Sequence, residues 1–351
     1  MARFSIRGVK MRGLAACVPG REILNRDYSW ISEKERELLM RSTGVYSRRV
    51  APPGVTTSDL CMASATKLMD ALGWSRSDIQ LIVFVSQSRD YPIPATAVIV
   101  QDRMGFSRDC MAYDVNMGCS GYVYGLSTVA ATMKACGLKR AILMAGDIST
   151  AHIAYKDKSA YPLFGDAGSA TALEAGADDD VMHFNLQSDG SGYDAIIIPD
   201  GGMKNLIGKK SFDYRKIDKG IHRHRVQLAL DGIKVFNFAL KEVVPNIRDL
   251  LEYSQTGQES VDYFIFHQAN LLINETLRKK LRELPERVPH SIGKYGNTSS
   301  ASVPLTMADA LHEQLGSQKM KLVLCGFGVG LSWGSVLLET SDVVCPEVIN
   351  Y

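Results

Sequence analysis

Residues 114–147 read "DVNMGCSGYVYGLSTVAATMKACGLKRAILMAGD". An extended apolar run gives way at a glycine-flanked cysteine to a helical stretch over residues 120–136, and the segment closes on the apolar strand "KRAILMAGD". The unit recurs: residues 300–315 read as a helix followed by "QKMKLVLCGFG" at 318–328. Upstream, a helix over 60–72 leads through "SDIQ" into "LIVFVSQ", and a longer one over 235–253 leads through "ESVD" into "YFIFHQ". "AGSATALEAG" at 167–176 and "GLSWGSVLLET" at 330–340 close the two halves, their small residues permitting tight packing. The chain therefore repeats itself with a period of roughly 180 residues. Continuous apolar strands are buried on both faces, so helices lie above and below a mixed sheet in each half. The expected division is 1–178 and 179–351.

The repeat also brings polar groups together. Cys119 opens the helix of the first half, Asn297 lies in "YGNTSSAS" where the matching helix begins, and His267 stands where the strand "FIF" stops being apolar. Both helix starts are expected near the pseudo-twofold axis.

Composition excludes other classes. The chain has 351 residues, 46% hydrophobic, with a net charge of +2 and no apolar run of bilayer length, so neither a nucleic-acid nor a membrane partner is expected. Seven cysteines are scattered without C-x-x-C or His/Cys ligand spacing, which argues against zinc or a redox dithiol. Their odd number, and a basic N-terminus without an apolar core behind it, predict free thiols in a reducing cytoplasm. One segment, 204–225, is strongly basic: a solvated loop, or a receiver of a phosphate or an acidic protein.

Five spaced motifs, "DVNMGCSG" (114–121), "FGDAGSATAL" (164–173), "FHQAN" (266–270), "YGNTSSASVP" (295–304) and "GFGVGLSWGS" (326–335), resemble the β-ketoacyl-acyl-carrier-protein synthase III family of the thiolase superfamily over nearly the whole chain. The resemblance implies a thiolase-like α/β fold, a five-layered α/β/α/β/α sandwich of two pseudo-repeated halves, in a homodimer. It also implies a Cys119, His267, Asn297 site that joins a cysteine-bound acyl primer to a malonyl thioester with loss of carbon dioxide. No cofactor is implied beyond the acyl-coenzyme A and malonyl thioester substrates, and the implied protein partner is acyl carrier protein.

The residue types suit that chemistry. A helix start is expected to lower the Cys119 pKa, and the amides of Cys119 and Val329 map to the family's oxyanion hole. Decarboxylation generates the carbanion without a base, so His267 and Asn297 need only donate hydrogen bonds to the developing enolate. Phe327 maps to an aromatic position that disfavours a charged carboxylate, and Ile93, Lys158, Phe164, Phe236 and Asn270 to further substrate contacts.

Several positions depart from housekeeping members and point to a specialised lipid or secondary-metabolite pathway. Leu38 replaces an adenine-stacking tryptophan, with Trp30 a nearby substitute; Lys158 replaces an arginine at the nucleotide phosphates. Asn237 and Leu272 replace basic carrier-docking residues, against which stand the segment 204–225 and the run Arg278, Lys279, Lys280, Arg282. Ile93 aligns with the residue that closes the partner's acyl pocket; its smaller side chain leaves room for a primer longer than acetyl. Three other readings stand beside condensation. Acyl transfer to an alcohol or amine would use His267 as base, a non-catalytic subunit would lack the nucleophile, and a biosynthetic thiolase would need Cys325 as second cysteine, although Cys325 reads as a strand residue. The strand "DCMAYDVNM" would expose apolar residues at a sheet edge unless a second copy covered it.

Overall fold

The computed structural model describes residues 2–351. It contains two mixed sheets. In the first, the strands run in the order Ile349–Asn350, Val9–Val18, Ala167–Ala175, Arg140–Asp147, Leu81–Val85, Met111–Val115. In the second the order is Ala2–Arg7, Val181–Ser188, Ser332–Thr340, Met320–Gly328, Tyr263–Phe266. The predicted repeat is visible in strand direction. Leu81–Val85 runs parallel to Arg140–Asp147, which is antiparallel to Ala167–Ala175. Tyr263–Phe266 likewise runs parallel to Met320–Gly328, which is antiparallel to Ser332–Thr340. Each terminus crosses to the other half's sheet: Ala2–Arg7 pairs with Val181–Ser188, and Ile349–Asn350 with Val9–Val18.

Side-chain alternation along these strands produces five layers. Leu81, Val83 and Val85 of the first sheet and Ile265, Leu322 and Leu324 of the second point into one central core, which holds the helices Gly121–Cys136 and Ser302–Ala310. Ile82, Phe84, Ile142 and Met144 point outward against Thr57–Leu72 and Thr96–Arg103. On the far side Phe264, Phe266, Val323 and Cys325 lie under Gly232–Tyr253 and Leu271–Leu281. The architecture is the expected α/β/α/β/α sandwich. Cys325 is the strand residue that the sequence implied, buried beneath an outer helix.

One helix differs from its expected extent. The stretch read as continuous over 300–315 consists of a 3₁₀ turn Ser299–Ala301, the helix Ser302–Ala310 and a second helix His312–Ser317. The break at Leu311, where φ is −129°, keeps both Leu311 and Leu315 in the central core. Close approach also has a local cause: a Cβ at Gly121 would lie 2.6 Å from Val85 Cγ1, so glycine lets the central helix settle on its strand. Among the described residues no helix is long and apolar enough to cross a membrane.

The fold collects strand ends on one side. Leu81–Val85, Arg140–Asp147, Tyr263–Phe266 and Met320–Gly328 all finish where Ser86, Asp147, His267 and Val329 follow or end them, the customary position for a site in a sheet with parallel strands. Phe184 is fully buried and stacks on Phe4 with centroids 5.3 Å apart. Phe184→Ala should cost about 3–5 kcal/mol in urea unfolding, whereas Phe212→Ala, at a side chain 57% exposed, should change stability by less than about 0.5 kcal/mol. Equal effects would contradict the placement of the core.

Candidate active site

Cys119 sits at the corner between Met111–Val115 and Gly121–Cys136, with 6% of its surface exposed. The turn after Met320–Gly328 presses against it. A Cβ on Gly328 would lie 2.6 Å from the Cys119 Cβ and 2.8 Å from its Sγ, and φ there is +154°, so both space and backbone require glycine. This contact sets the turn that carries Val329 beside the sulfur, and the Val329 and Cys119 N–H groups both favour the thiolate.

The expected acidification of that thiol is not what the structure gives. Burial pushes the Cys119 pKa up; the Val329 amide pulls it down, the Asp147 carboxylate raises it further, and the Ser299 hydroxyl lowers it. Enclosure outweighs the helix start: Ser120 adopts helical angles, makes no side-chain cap, and its hydroxyl instead meets that of Ser332 at 2.6 Å.

His267 follows the buried strand Tyr263–Phe266 and is 1% exposed. Its Nδ1 lies 2.6 Å from Ser302 Oγ, and its ring stands edge-on to Phe327, centroids 5.5 Å apart and planes at 87°. Burial lowers its pKa to about 3, opposed in part by a backbone hydrogen bond at Ser299, so the ring is neutral at ordinary pH. Asn297 is pinned by its backbone: its N–H donates to Leu163 O at 2.9 Å and its carbonyl accepts from Gly165 at 3.0 Å, bridging it to Phe164. Its side-chain Oδ1 accepts from the Ser299 N–H at 2.9 Å. One short run, Ser299 to Ser302, hydrogen-bonds the imidazole and the carboxamide, and its first residue lines the same cavity as Cys119.

A cavity of about 330 Å³ opens onto the thiol. Its lining includes Cys119, Asp147, Phe164, Ser299 and Val329, the apolar Ile196, Ile197, Ile198 and Leu228, and the polar Gln87, Arg89, Asn116 and His152. His267, Asn297 and Phe327 do not line it. Other expected contacts lie elsewhere. Ile93 is 85% exposed. Lys158 Nζ lies 3.4 Å from Glu35, while its alkyl chain packs over Gly220. Phe236 packs against the outer cluster of the second sheet, and Asn270 caps Leu271–Leu281 by accepting from Ile273 N–H at 2.8 Å. The Trp30 ring holds Lys156 Nζ at 5.1 Å over its face and donates through Nε1 to Gly220 O, while Leu38 is exposed.

The basic segment divides. Arg223 and Arg225 anchor it through Asp157 at 2.7 Å and Asp200 at 2.9 Å, and the exposed strand Arg215–Asp218 pairs with the half-buried Ile221–Arg223. Of the run after it, Arg278 pairs with Glu275 at 2.8 Å and Lys280 donates to Leu240 O. Among the described residues no cluster of three or more His, Cys, Asp or Glu could hold a metal ion.

One site residue escaped sequence reasoning. Asp147, 2% exposed, ends the apolar strand Arg140–Asp147 as His267 ends its own, and that shared position was the available signal. Its carboxylate accepts from the N–H groups of Gln87 at 2.7 Å and Ser300 at 3.2 Å, and from the Ser300 hydroxyl at 2.8 Å. Burial raises its pKa against these donors.

Known proteins share the sequence pattern and the fold. Residues 113–190 match the family described as 3-oxoacyl-[acyl-carrier-protein (ACP)] synthase III, and residues 251–340 its C-terminal part. The β-ketoacyl-[acyl-carrier-protein] synthase III of Rhodopirellula baltica is 30% identical over 354 residues, covering 95% of this chain and 99% of that protein. That of Syntrophomonas wolfei is 31% identical, covering 94% and 97%. Among solved structures, a 3-oxoacyl-(acyl-carrier protein) synthase from Burkholderia xenovorans superposes with a TM-score of 0.94 at 34% identity over 99% of both chains. The priming β-ketosynthase of the R1128 polyketide pathway does so at 0.82 and 25% identity, over 97% of this chain and 98% of that one. With 30% and 31% identity to these relatives over 95% and 94% of its length, the chain belongs to the 3-oxoacyl-acyl-carrier-protein synthase III family.

Proposed function

We propose that this protein is an acyltransferase of the condensing type, in which Cys119 takes an acyl primer from a thioester and the acyl-enzyme then attacks a malonyl thioester as it decarboxylates. The observation that carries the reading is the close packing of the Gly328 turn, with the Val329 amide after it, on Cys119, beside a neutral His267 and an oriented Asn297 held by the adjacent serine run. As Sγ adds to the primer carbonyl, the oxygen becomes an oxyanion that the two amides receive. In the second half-reaction the malonyl carbonyl becomes an enolate. His267, neutral, donates an N–H to it, and Asn297, whose Oδ1 is occupied by Ser299, offers its N–H groups. Phe327 encloses the imidazole in an apolar surround that a carboxylate leaves readily as carbon dioxide. A histidine held near pKa 3 is a poor general base, which disfavours transfer to an alcohol or amine.

The active unit is a homodimer of two-halved subunits, divided at about residue 178 in the chain although the terminal strands cross. Met111–Val115 is an open sheet edge, and its own Met111 together with Tyr91, Ile93 and Val98 are exposed apolar side chains that a second copy would cover. Ile93 would then close the partner's primer pocket, leaving space for chains longer than acetyl. Carrier protein and coenzyme A remain the donor classes, no cofactor is needed, and seven free cysteines suit a reducing cytoplasm.

Intact-mass measurement with a panel of acyl thioesters should detect one adduct on the wild type and none on Cys119→Ala; persistence of the adduct would refute the nucleophile assignment. His267→Ala and Asn297→Ala should still be acylated but lose release of labelled carbon dioxide from malonyl thioester by on the order of a hundredfold or more. Retained release in both would remove them from the decarboxylation step.

The neutral imidazole has a linked effect on stability. In the unfolded chain a histidine titrates near 6.5, in the folded chain His267 near 3. Between those values the unfolded state binds a proton that the folded state refuses, so stability falls as pH drops, by at most about 1.4 kcal/mol per pH unit. From about pH 7 to about pH 5, His267→Gln should lose urea stability less steeply than the wild type. Identical slopes would mean that the folded ring is protonated.

A further inference from the structure

The cavity at Cys119 is lined by two kinds of surface. Ile196, Ile197, Ile198 and Leu228 make part of it apolar, yet a cation, Arg89, also lines it. Among the described residues Arg89 makes no ion pair, and its side chain makes no hydrogen bond. The loop that carries it is nevertheless anchored on both sides. Ser88 Oγ meets Thr57 Oγ1 at 2.7 Å and accepts from the Ile148 N–H at 2.8 Å, while Asp90 accepts from Ser58 Oγ at 2.8 Å and donates its own N–H to Thr96 Oγ1 at 3.1 Å. Gln87, the other polar side chain of this loop in the lining, has its N–H on Asp147 at 2.7 Å. A Cβ on Gly118 would lie 2.5 Å from Gln87 Oε1, so the loop reaches the residue that precedes the nucleophile. Arg89 is thus an unpaired charge on a fixed backbone beside the reacting sulfur.

A guanidinium stays charged at any working pH, and its planar fork matches a carboxylate. The one acid in the lining does not serve it. Asp147 instead accepts from Ser86, Gln87, Ser88 and Ser300. Asn116 also lines the cavity, and among the described residues its side chain too makes no hydrogen bond. We propose that the primer is a carboxyacyl group, a dicarboxylic acid held as a thioester at one end, whose methylene chain lies along Ile196, Ile197, Ile198 and Leu228 and whose free carboxylate takes the Arg89 guanidinium and the Asn116 side-chain N–H. The proposal deepens the reading of Cys119 as the acylated nucleophile and rests on it. An alkyl primer would fill the apolar part equally well, but in stripping water from Arg89 and Asn116 it would leave both without a partner. The distal carboxylate takes no part in the chemistry: the bond from Sγ to the acyl carbon forms, the bond to the donor sulfur breaks, and the Cys119 proton leaves on the donor thiol.

The test follows acylation of Cys119 by intact mass with matched coenzyme A thioesters that differ only at the far end: succinyl against butyryl, glutaryl against pentanoyl, adipyl against hexanoyl and suberyl against octanoyl. In the wild type at least one carboxyacyl group should load faster than its alkyl match. Arg89→Gln should lower the carboxyacyl-to-alkyl rate ratio of that pair on the order of tenfold to a hundredfold. Arg89→Lys, which keeps the charge but not the fork, should lower it less. A ratio that Arg89→Gln leaves unmoved overturns the proposal, whether because a structural lesion slows both members together, because Arg89 holds the donor phosphates, or because it serves the malonyl carboxylate and raises the KM for malonyl thioester with either primer. Faster alkyl loading in every pair also overturns it, while leaving condensation intact. A wild type that iodoacetamide alkylates at Cys119 but that takes no acyl group of either kind overturns the proposed function itself, and the primer assignment with it.

Discussion

Between the last glycine turn of the second half and the cysteine of the first there is no room for a methyl group: a Cβ on Gly328 would fall within 2.8 Å of the sulfur. The remaining features of the site depend on that approach. It brings the Val329 amide to Sγ, buries the thiol, and places the end of Met320–Gly328 against the start of Gly121–Cys136. Two central helices and two sheets share a single core around this seam, so the backbone donors are fixed before any substrate arrives.

Enclosure then sets the electrostatics. A helix start offers roughly 0.3–1 kcal/mol to an anion at an exposed site, rising to about 2 in partly buried geometry. Full burial of an ionisable group can shift its pKa by several units, at about 1.4 kcal/mol each. Burial wins at Cys119, which stays protonated, and at His267, which stays neutral. The serine run is the compensating device: Ser300 donates to Asp147, Ser302 meets the imidazole, and the positive φ of 52° at Ser299 lets adjacent residues face both ways.

Much of this was legible in the chain. Buried strands appear as unbroken apolar runs, so "LIVFV" and "YFIF" could be matched across the repeat, and Cys119, His267 and Asn297 stood out as polar groups at corresponding strand ends and helix starts. Interactions decided by three-dimensional competition were not legible. Asp147 looked like the end of a strand because its partners, Gln87 and Ser300, are 60 and 153 residues away. The exchange of terminal strands leaves no periodic trace, since Ala2–Arg7 is short and pairs far along the chain. Lys158 reads as a free cation until Glu35 is found beside it, and the helix break at Leu311 answers to a core shared between both sheets.

A single turnover tests the central claim most directly. Cys119 acyl-enzyme, separated from excess donor, is mixed with a malonyl thioester and followed by intact mass and product analysis. The adduct should disappear as one equivalent of a 3-oxoacyl thioester, two carbons longer than the primer, is formed. An adduct that decays only by hydrolysis, or only by transfer to an alcohol or amine with no new carbon–carbon bond, would contradict it.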